Sequence, residues 1–203
     1  MSTTRKRRAA LMTATVTAAL VLAACGGGDD SGHDGGHASP SATTTTAATA
    51  GTHNAQDVSF AQGMIPHHRQ ALEMAELATD RASSAEVKDL AARIEKAQDP
   101  EIETMTGWLK SWGEEAPGKD HGSHSGMPGM MDTADMTELE KASGEAFDAR
   151  FLALMVEHHE GAVEMAETEK AKGAYAPAKA MADDIVTGQT AEIEEMNKLL
   201  GKD

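Results

Sequence analysis

Hydrophobic positions between residues 55 and 200 recur at intervals of three and four residues, a spacing that places them on one face of an α-helix. No segment shows the strict alternation of a half-buried strand. The spacing predicts two helical hairpins, and hence an all-α four-helix bundle with one long crossover. The predicted helices cover about residues 57–81, 83–112, 145–172 and 176–200, with the linker at 113–135 and a short helix opening at Thr137.

The two hairpins are related by an internal repeat. Shifting the sequence by 91 residues aligns residues 57–109 with residues 148–200 without a gap, and 20 of the 53 aligned positions are identical. Unrelated segments of this composition would match at roughly 3 to 5 positions, so the repeat predicts two copies of one helical hairpin.

Each copy carries a methionine that is followed three and four residues later by two adjacent histidines. These positions share one helix face, so each copy presents a thioether and two imidazoles together. That donor set suits a soft or borderline metal, and copper, as Cu(I) or Cu(II), is the predicted cofactor. The predicted metal ligands are Met64, His67, His68, Met155, His158 and His159.

Adjacent residues on a helix diverge by about 100°, so both histidines of a pair do not readily reach one ion. One histidine of each pair is expected to bind the metal, while the other donates a hydrogen bond or serves a second site. The sequence leaves open which does which.

Three other interpretations remain open. The histidines and methionines can pack and hydrogen-bond at the bundle centre without a metal. A ferritin-like di-iron redox enzyme needs Glu-x-x-His motifs, but Met64 and Met155 stand where the glutamates belong, and only Glu101 and Glu192 on the partner helices favour it. A metal-free lipoprotein that docks a partner is the third. No hydrolase or nucleotide-binding motif is present, so neither of these functions is supported. The metal-binding interpretation predicts a protein that is not an enzyme, with the di-iron enzyme as the alternative.

The N-terminus has the features of an export signal. A basic run at residues 5–8 precedes an apolar stretch at 9–23, and Leu22-Ala23-Ala24-Cys25 resembles the signal of a bacterial lipoprotein. Residues 1–25 are therefore predicted to be a signal peptide ending at a lipidated Cys25. Residues 26–54 are predicted to be a flexible tether, which leaves residues 55–203 as the folded domain. This arrangement predicts an exported protein that a lipid anchors to the outer face of the cytoplasmic membrane or in the cell envelope.

Charge narrows the set of partners. Removal of residues 1–24 takes away four basic side chains and leaves 14 Lys and Arg against 33 Asp and Glu. This charge argues against binding to nucleic acid, because the phosphate backbone would be repelled. Cys25 is the single cysteine, so any metal site must use His, Met and carboxylate ligands.

The linker carries its own histidines and methionines. His121, His124, Met127 and Met130 lie within a stretch rich in Gly, Ser and Pro. They are able to hold copper loosely, and a flexible connection with incidental histidines explains them equally well.

Two motifs resemble a known family. Phe-Ala-Gln-Gly-Met-Ile-Pro-His-His at residues 60–68, and the run from Phe147 to Ala162 that contains the second histidine pair, look like the DUF305 family of exported bacterial proteins. The resemblance covers roughly residues 55–200 and implies a ferritin-like helical bundle outside the cytoplasm. It also implies copper binding, which some members show, at the two histidine-pair motifs.

Overall fold

Five helices form the fold seen in a computed structural model, which describes residues 51–118 and 126–202. The predicted all-α bundle of two hairpins is confirmed. The short helix begins at Thr133 rather than Thr137, because the Asp132 side chain accepts the backbone N–H groups of Ala134 and Asp135 and so caps it. The helices are α1 (Ala55–Arg81), α2 (Ala85–Trp112), α3 (Thr133–Lys141), α4 (Glu145–Lys172) and α5 (Ala176–Leu199).

The helices pack as two hairpins joined through their first members. α1 packs on α2, α4 packs on α5, and α1 and α4 pack on each other. The apolar side chains form two clusters, one on each side of the middle of the bundle. The first cluster holds Met74, Leu90, Ile94, Phe147, Phe151, Met155 and Met196, and the second holds Phe60, Met64, Ile65, Met105, Leu109, Ala166 and Ile185.

Two buried aspartates join the hairpins to each other. Asp57 of α1 accepts the backbone N–H groups of residues 174–175 at 2.8–3.2 Å, in the turn before α5. Asp148 of α4 accepts those of residues 83–84, in the turn before α2, at 2.9–3.1 Å. Asp148 follows Asp57 by 91 residues, and residues 174–175 follow residues 83–84 by the same number, so the two contacts correspond in the internal repeat. Each aspartate therefore fixes the turn of the opposite hairpin, which aligns the central parts of α1 and α4.

The end of the predicted tether packs on the bundle. Asn54 caps α1 by accepting the N–H groups of Gln56 and Asp57, and the His53 ring stacks on Trp112 at a centroid distance of 4.4 Å. The predicted signal peptide, Cys25 and residues 26–50 lie outside the described residues. Within the described part of the chain, no helix is both long and apolar enough to span a membrane.

Candidate functional site

A layer of polar side chains, six of them buried and two of them half-buried glutamates, crosses the bundle between its two apolar clusters. On α1, the first cluster contains Met74 and the second contains Met64, and the histidine pair lies between them. Along α2, α4 and α5 as well, the apolar side chains pass from one cluster to the other at the level of the histidines. The layer consists of His67 and His68 on α1, Gln98 and Glu101 on α2, His158 and His159 on α4, and Gln189 and Glu192 on α5.

All four histidines are fully buried, with 0% of each residue exposed to solvent. Burial of a polar group without a hydrogen bond costs about 1–3 kcal/mol. A layer of this kind therefore lowers stability unless partners or a ligand satisfy its nitrogen atoms.

The centre of the layer is a pair of histidine rings from the two hairpins. The rings of His67 and His158 lie 3.8 Å apart between centroids, at an interplanar angle of 42°. Nε2 of His67 lies 3.1 Å from the carbonyl oxygen of Pro128, so this nitrogen donates its N–H and Nδ1 keeps a free lone pair. Neither ring nitrogen of His158 has a hydrogen-bond partner.

The outer histidines are each held by a glutamate of the neighbouring helix. Nε2 of His68 lies 2.7 Å from Glu101, and Nε2 of His159 lies 2.8 Å from Glu192. A carboxylate that accepts one ring N–H leaves the other nitrogen free, and this is how metal-binding histidines are commonly oriented. In both residues Nδ1 is buried and has no hydrogen-bond partner.

Burial and mutual repulsion keep the central pair neutral. Burial, and then the neighbouring His68 and His159, lower the pKa of His67 to about 3. The pKa of His158 is well below its usual value, first because of burial and then because of the other three histidines. The neutral imidazole is the form that binds metals, so at neutral pH no proton must leave His67 or His158 before an ion binds.

The predicted methionines flank the layer on opposite sides. Met64 and Met155 are fully buried, Met64 in the second apolar cluster and Met155 in the first. The structure thus brings the four predicted histidines together and places the two predicted thioethers in separate clusters. Among the described residues, no three His, Asp or Glu side chains are already arranged around one point as a metal site. An ion bound by three of them requires side-chain rotation.

A segment of the linker covers the layer, which the sequence did not predict. Besides the Pro128 contact with His67, the Gln70 amide accepts the N–H of Met131 at 2.8 Å and donates to its carbonyl at 2.9 Å. A side chain at Gly161 would overlap the Pro128 carbonyl. We call residues 126–131 the strap. Gly161, a glycine inside a long helix, was the one signal in the sequence for this close approach.

The remaining candidate residues lie elsewhere. His53 stacks on Trp112. Met127 and Met130 belong to the strap. His121 and His124 lie outside the described residues, as does Cys25.

Several known proteins are similar to this chain in fold and in sequence. The family "Domain of unknown function (DUF305)" matches residues 57–200. A DUF305 protein from Streptomyces coelicolor, assigned as secreted, is 35% identical with a TM-score of 0.67, and the match covers 72% of this chain and 93% of that chain. CopM in its Cu(II)-bound form is 34% identical with a TM-score of 0.63, and the match covers 71% of this chain and 95% of CopM. CopM in Cu(I)-bound, Ag-bound and apo forms also matches. None of the curated proteins compared matches the chain.

Proposed function

We propose that this chain, which belongs to the DUF305 family, is an extracytoplasmic copper-binding protein that buffers or scavenges copper or confers resistance to it. The observation that carries the proposal is the central pair His67 and His158. These are two neutral, fully buried imidazoles from different hairpins, 3.8 Å apart, with nitrogen lone pairs that no protein group satisfies. Binding of a metal ion compensates for the unsatisfied nitrogens.

The donor atoms of the layer favour copper among the common metals. Imidazole binds both Cu(I) and Cu(II), and thioether sulfur prefers Cu(I). Met64 and Met155 lie in the apolar clusters on either side of the layer, so their sulfur atoms bind an ion held by the histidines only after their side chains turn towards it. CopM, which matches over most of its length, is described in Cu(II)-bound and Cu(I)-bound forms. On these grounds we propose that copper is the metal that this site binds.

The proposed location follows from the N-terminus and from the relatives. In this proposal, lipidation at Cys25 and the predicted tether at residues 26–54 hold the domain at the outer face of the cytoplasmic membrane or in the cell envelope. The Streptomyces coelicolor relative is assigned as secreted, which supports export. A site without cysteine suits that compartment, because a thioether and an imidazole bind copper without a thiol that oxidises to a disulfide.

Thermal unfolding of the full-length protein with and without metal tests this function. With Cu(I) under anaerobic conditions at about 100 times its dissociation constant, we expect stabilisation by about 2.7 kcal/mol, seen as a higher Tm. Fe(II) is expected to leave the Tm unchanged. Iron that copurifies and gives an oxo-bridge absorption band would contradict the proposal in favour of a di-iron enzyme. A Tm that no metal changes would support a metal-free interaction protein.

A further inference from the structure

Two methionine sulfur atoms lie over one point on the surface of α1. A Cβ atom built on Gly63 would lie 3.8 Å from Sδ of Met127 in the strap and 3.9 Å from Sδ of Met165 in α4. The separation of the two sulfurs therefore cannot exceed the sum of these distances. Both side chains are half-buried, so they remain accessible to solvent.

This arrangement occurs in only one of the two copies. Met74, which precedes Met165 by 91 residues, is fully buried in the first apolar cluster, whereas Met165 is half-exposed. The position that corresponds to Gly63 is Leu154. A leucine at position 63 would fill the space that the two sulfur atoms occupy. Met165 packs partly against the second apolar cluster, and the missing side chain at Gly63 lets its sulfur approach that of Met127.

The pocket beside the sulfurs suits a soft cation. Met165, Phe60 and Pro128 form part of its wall, and the Glu164 carboxylate supplies a negative charge. The pocket has a volume of about 190 Å³, which is ample for an ion with water molecules. Thioethers are weak ligands for hard divalent cations and good ligands for Cu(I) and similar soft ions.

The pocket is also next to the histidine layer. Pro128, which lines the pocket, accepts the N–H of His67 through its carbonyl oxygen. One strap residue thus separates the thioether pair from the buried imidazoles.

We propose that Met127 and Met165 form a second, solvent-accessible site for a soft monovalent cation, Cu(I) or Ag(I), outside the histidine layer. The inference rests on the proposed function only in assuming that the protein meets such ions, because the residues of the two sites are different. Two thioethers are a sufficient protein contribution, since Cu(I) and Ag(I) accept low coordination numbers and water or Glu164 completes the sphere.

The test is a titration of the full-length protein with Ag(I), which does not change oxidation state, followed by NMR of methionines labelled with ¹³C at the methyl group. Single Met127→Leu and Met165→Leu variants assign the two resonances. Both resonances are expected to shift or broaden on addition of Ag(I), and to do so equally in a His67→Ala/His158→Ala variant. The Met127→Leu/Met165→Leu variant is expected to bind one equivalent of Ag(I) less than the wild type.

Met181→Leu is the matched control, because Met181 is also half-buried and packs against the second cluster. It is expected to keep the full stoichiometry, and leucine largely preserves side-chain volume in all these variants. Resonances of Met127 and Met165 that do not respond to Ag(I) would overturn the second site and leave the histidine layer untouched. If they respond while the histidine variant binds copper as the wild type does, the second site stands and the histidine layer fails.

Discussion

Replacement of both His67 and His158 by alanine is expected to lower the affinity of the protein for Cu(I) by about 1,000-fold or more. Loss of a residue that merely orients a metal ligand typically costs about 10- to 100-fold in affinity. Loss of two ligands should cost more, because only Nδ1 of His68 and Nδ1 of His159 then remain as free imidazole donors in the layer. The measurement is an anaerobic competition titration of the full-length protein against a chromogenic Cu(I) chelator.

His53→Ala is the matched control for this titration. His53 is exposed and stacks on Trp112, away from the layer, so its loss should leave the affinity unchanged. Alanine in the core also leaves cavities, so a His67→Gln/His158→Gln variant, which keeps more of the volume, is compared and circular dichroism checks the fold. Wild-type affinity and stoichiometry in folded double variants would remove this pair from the proposed site.

Between pH 6.5 and pH 8, ionisation of Glu169 is expected to lower the stability of the protein by about 1.6 kcal/mol, and Glu169→Gln is expected to abolish this contribution. Glu169 is fully buried, and neither carboxyl oxygen has a well-formed hydrogen bond. Burial, and then the neighbouring Asp57, raises the pKa of Glu169 from 4.5 to about 8. Asp57 of α1 and Lys179 of α5 are the charged groups that face it.

The direction of this pH effect follows from the bound protons. Above pH 6.5 the unfolded chain has lost the Glu169 proton while the folded protein keeps it until about pH 8. The folded state therefore holds more protons in this range, and stability falls as the pH rises. The lowered pKa values of His67 and His158 act in the opposite direction, because the unfolded histidines are half protonated at pH 6.5 and lose these protons by pH 8. Their effect offsets about half of the loss that Glu169 causes.

Urea unfolding at pH 6.5, 7.2 and 8 measures the free energy of unfolding for the wild type and for Glu169→Gln. Glu160→Gln, which changes an exposed carboxylate on the same helix, is the control and should follow the wild type. Equal slopes of stability against pH for the wild type and Glu169→Gln would show that Glu169 is ionised in the folded protein.

The helices and the position of the histidines could be predicted from the sequence because burial imposes a period on the chain. His67 and His158 fall on the apolar stripe of long helices, and a residue on that stripe must face the interior. Since both histidines lie at the same offset within their copies, antiparallel packing of α1 and α4 near their centres brings them together.

The partners of the outer histidines could not be predicted in this way. The sequence suggests Glu101 and Glu192 only as ligands of a di-iron centre, and the structure places each against a histidine nitrogen. The register between two helices decides such a contact, and helical period alone does not fix that register.

The separation of Met64 from the histidines has a similar cause. Residues three positions apart share a helix face but lie about 4.5 Å apart along the axis, and long side chains lean towards the N-terminus of the helix. Met64 and His67 lean in the same direction, so the axial distance between them is kept. Because α1 and α4 are antiparallel, Met64 and Met155 are displaced in opposite directions and enter the apolar clusters on opposite sides of the layer.

The most direct test of the proposed copper site is the X-ray absorption spectrum at the copper K-edge of the full-length protein loaded with one equivalent of Cu(I). The Met127→Leu/Met165→Leu background keeps the ion from the strap. The site predicts the multiple scattering of at least two imidazole ligands, which His67→Ala/His158→Ala should remove. A spectrum without imidazole scattering, or one that the histidine substitutions leave unchanged, would contradict copper binding at the histidine layer.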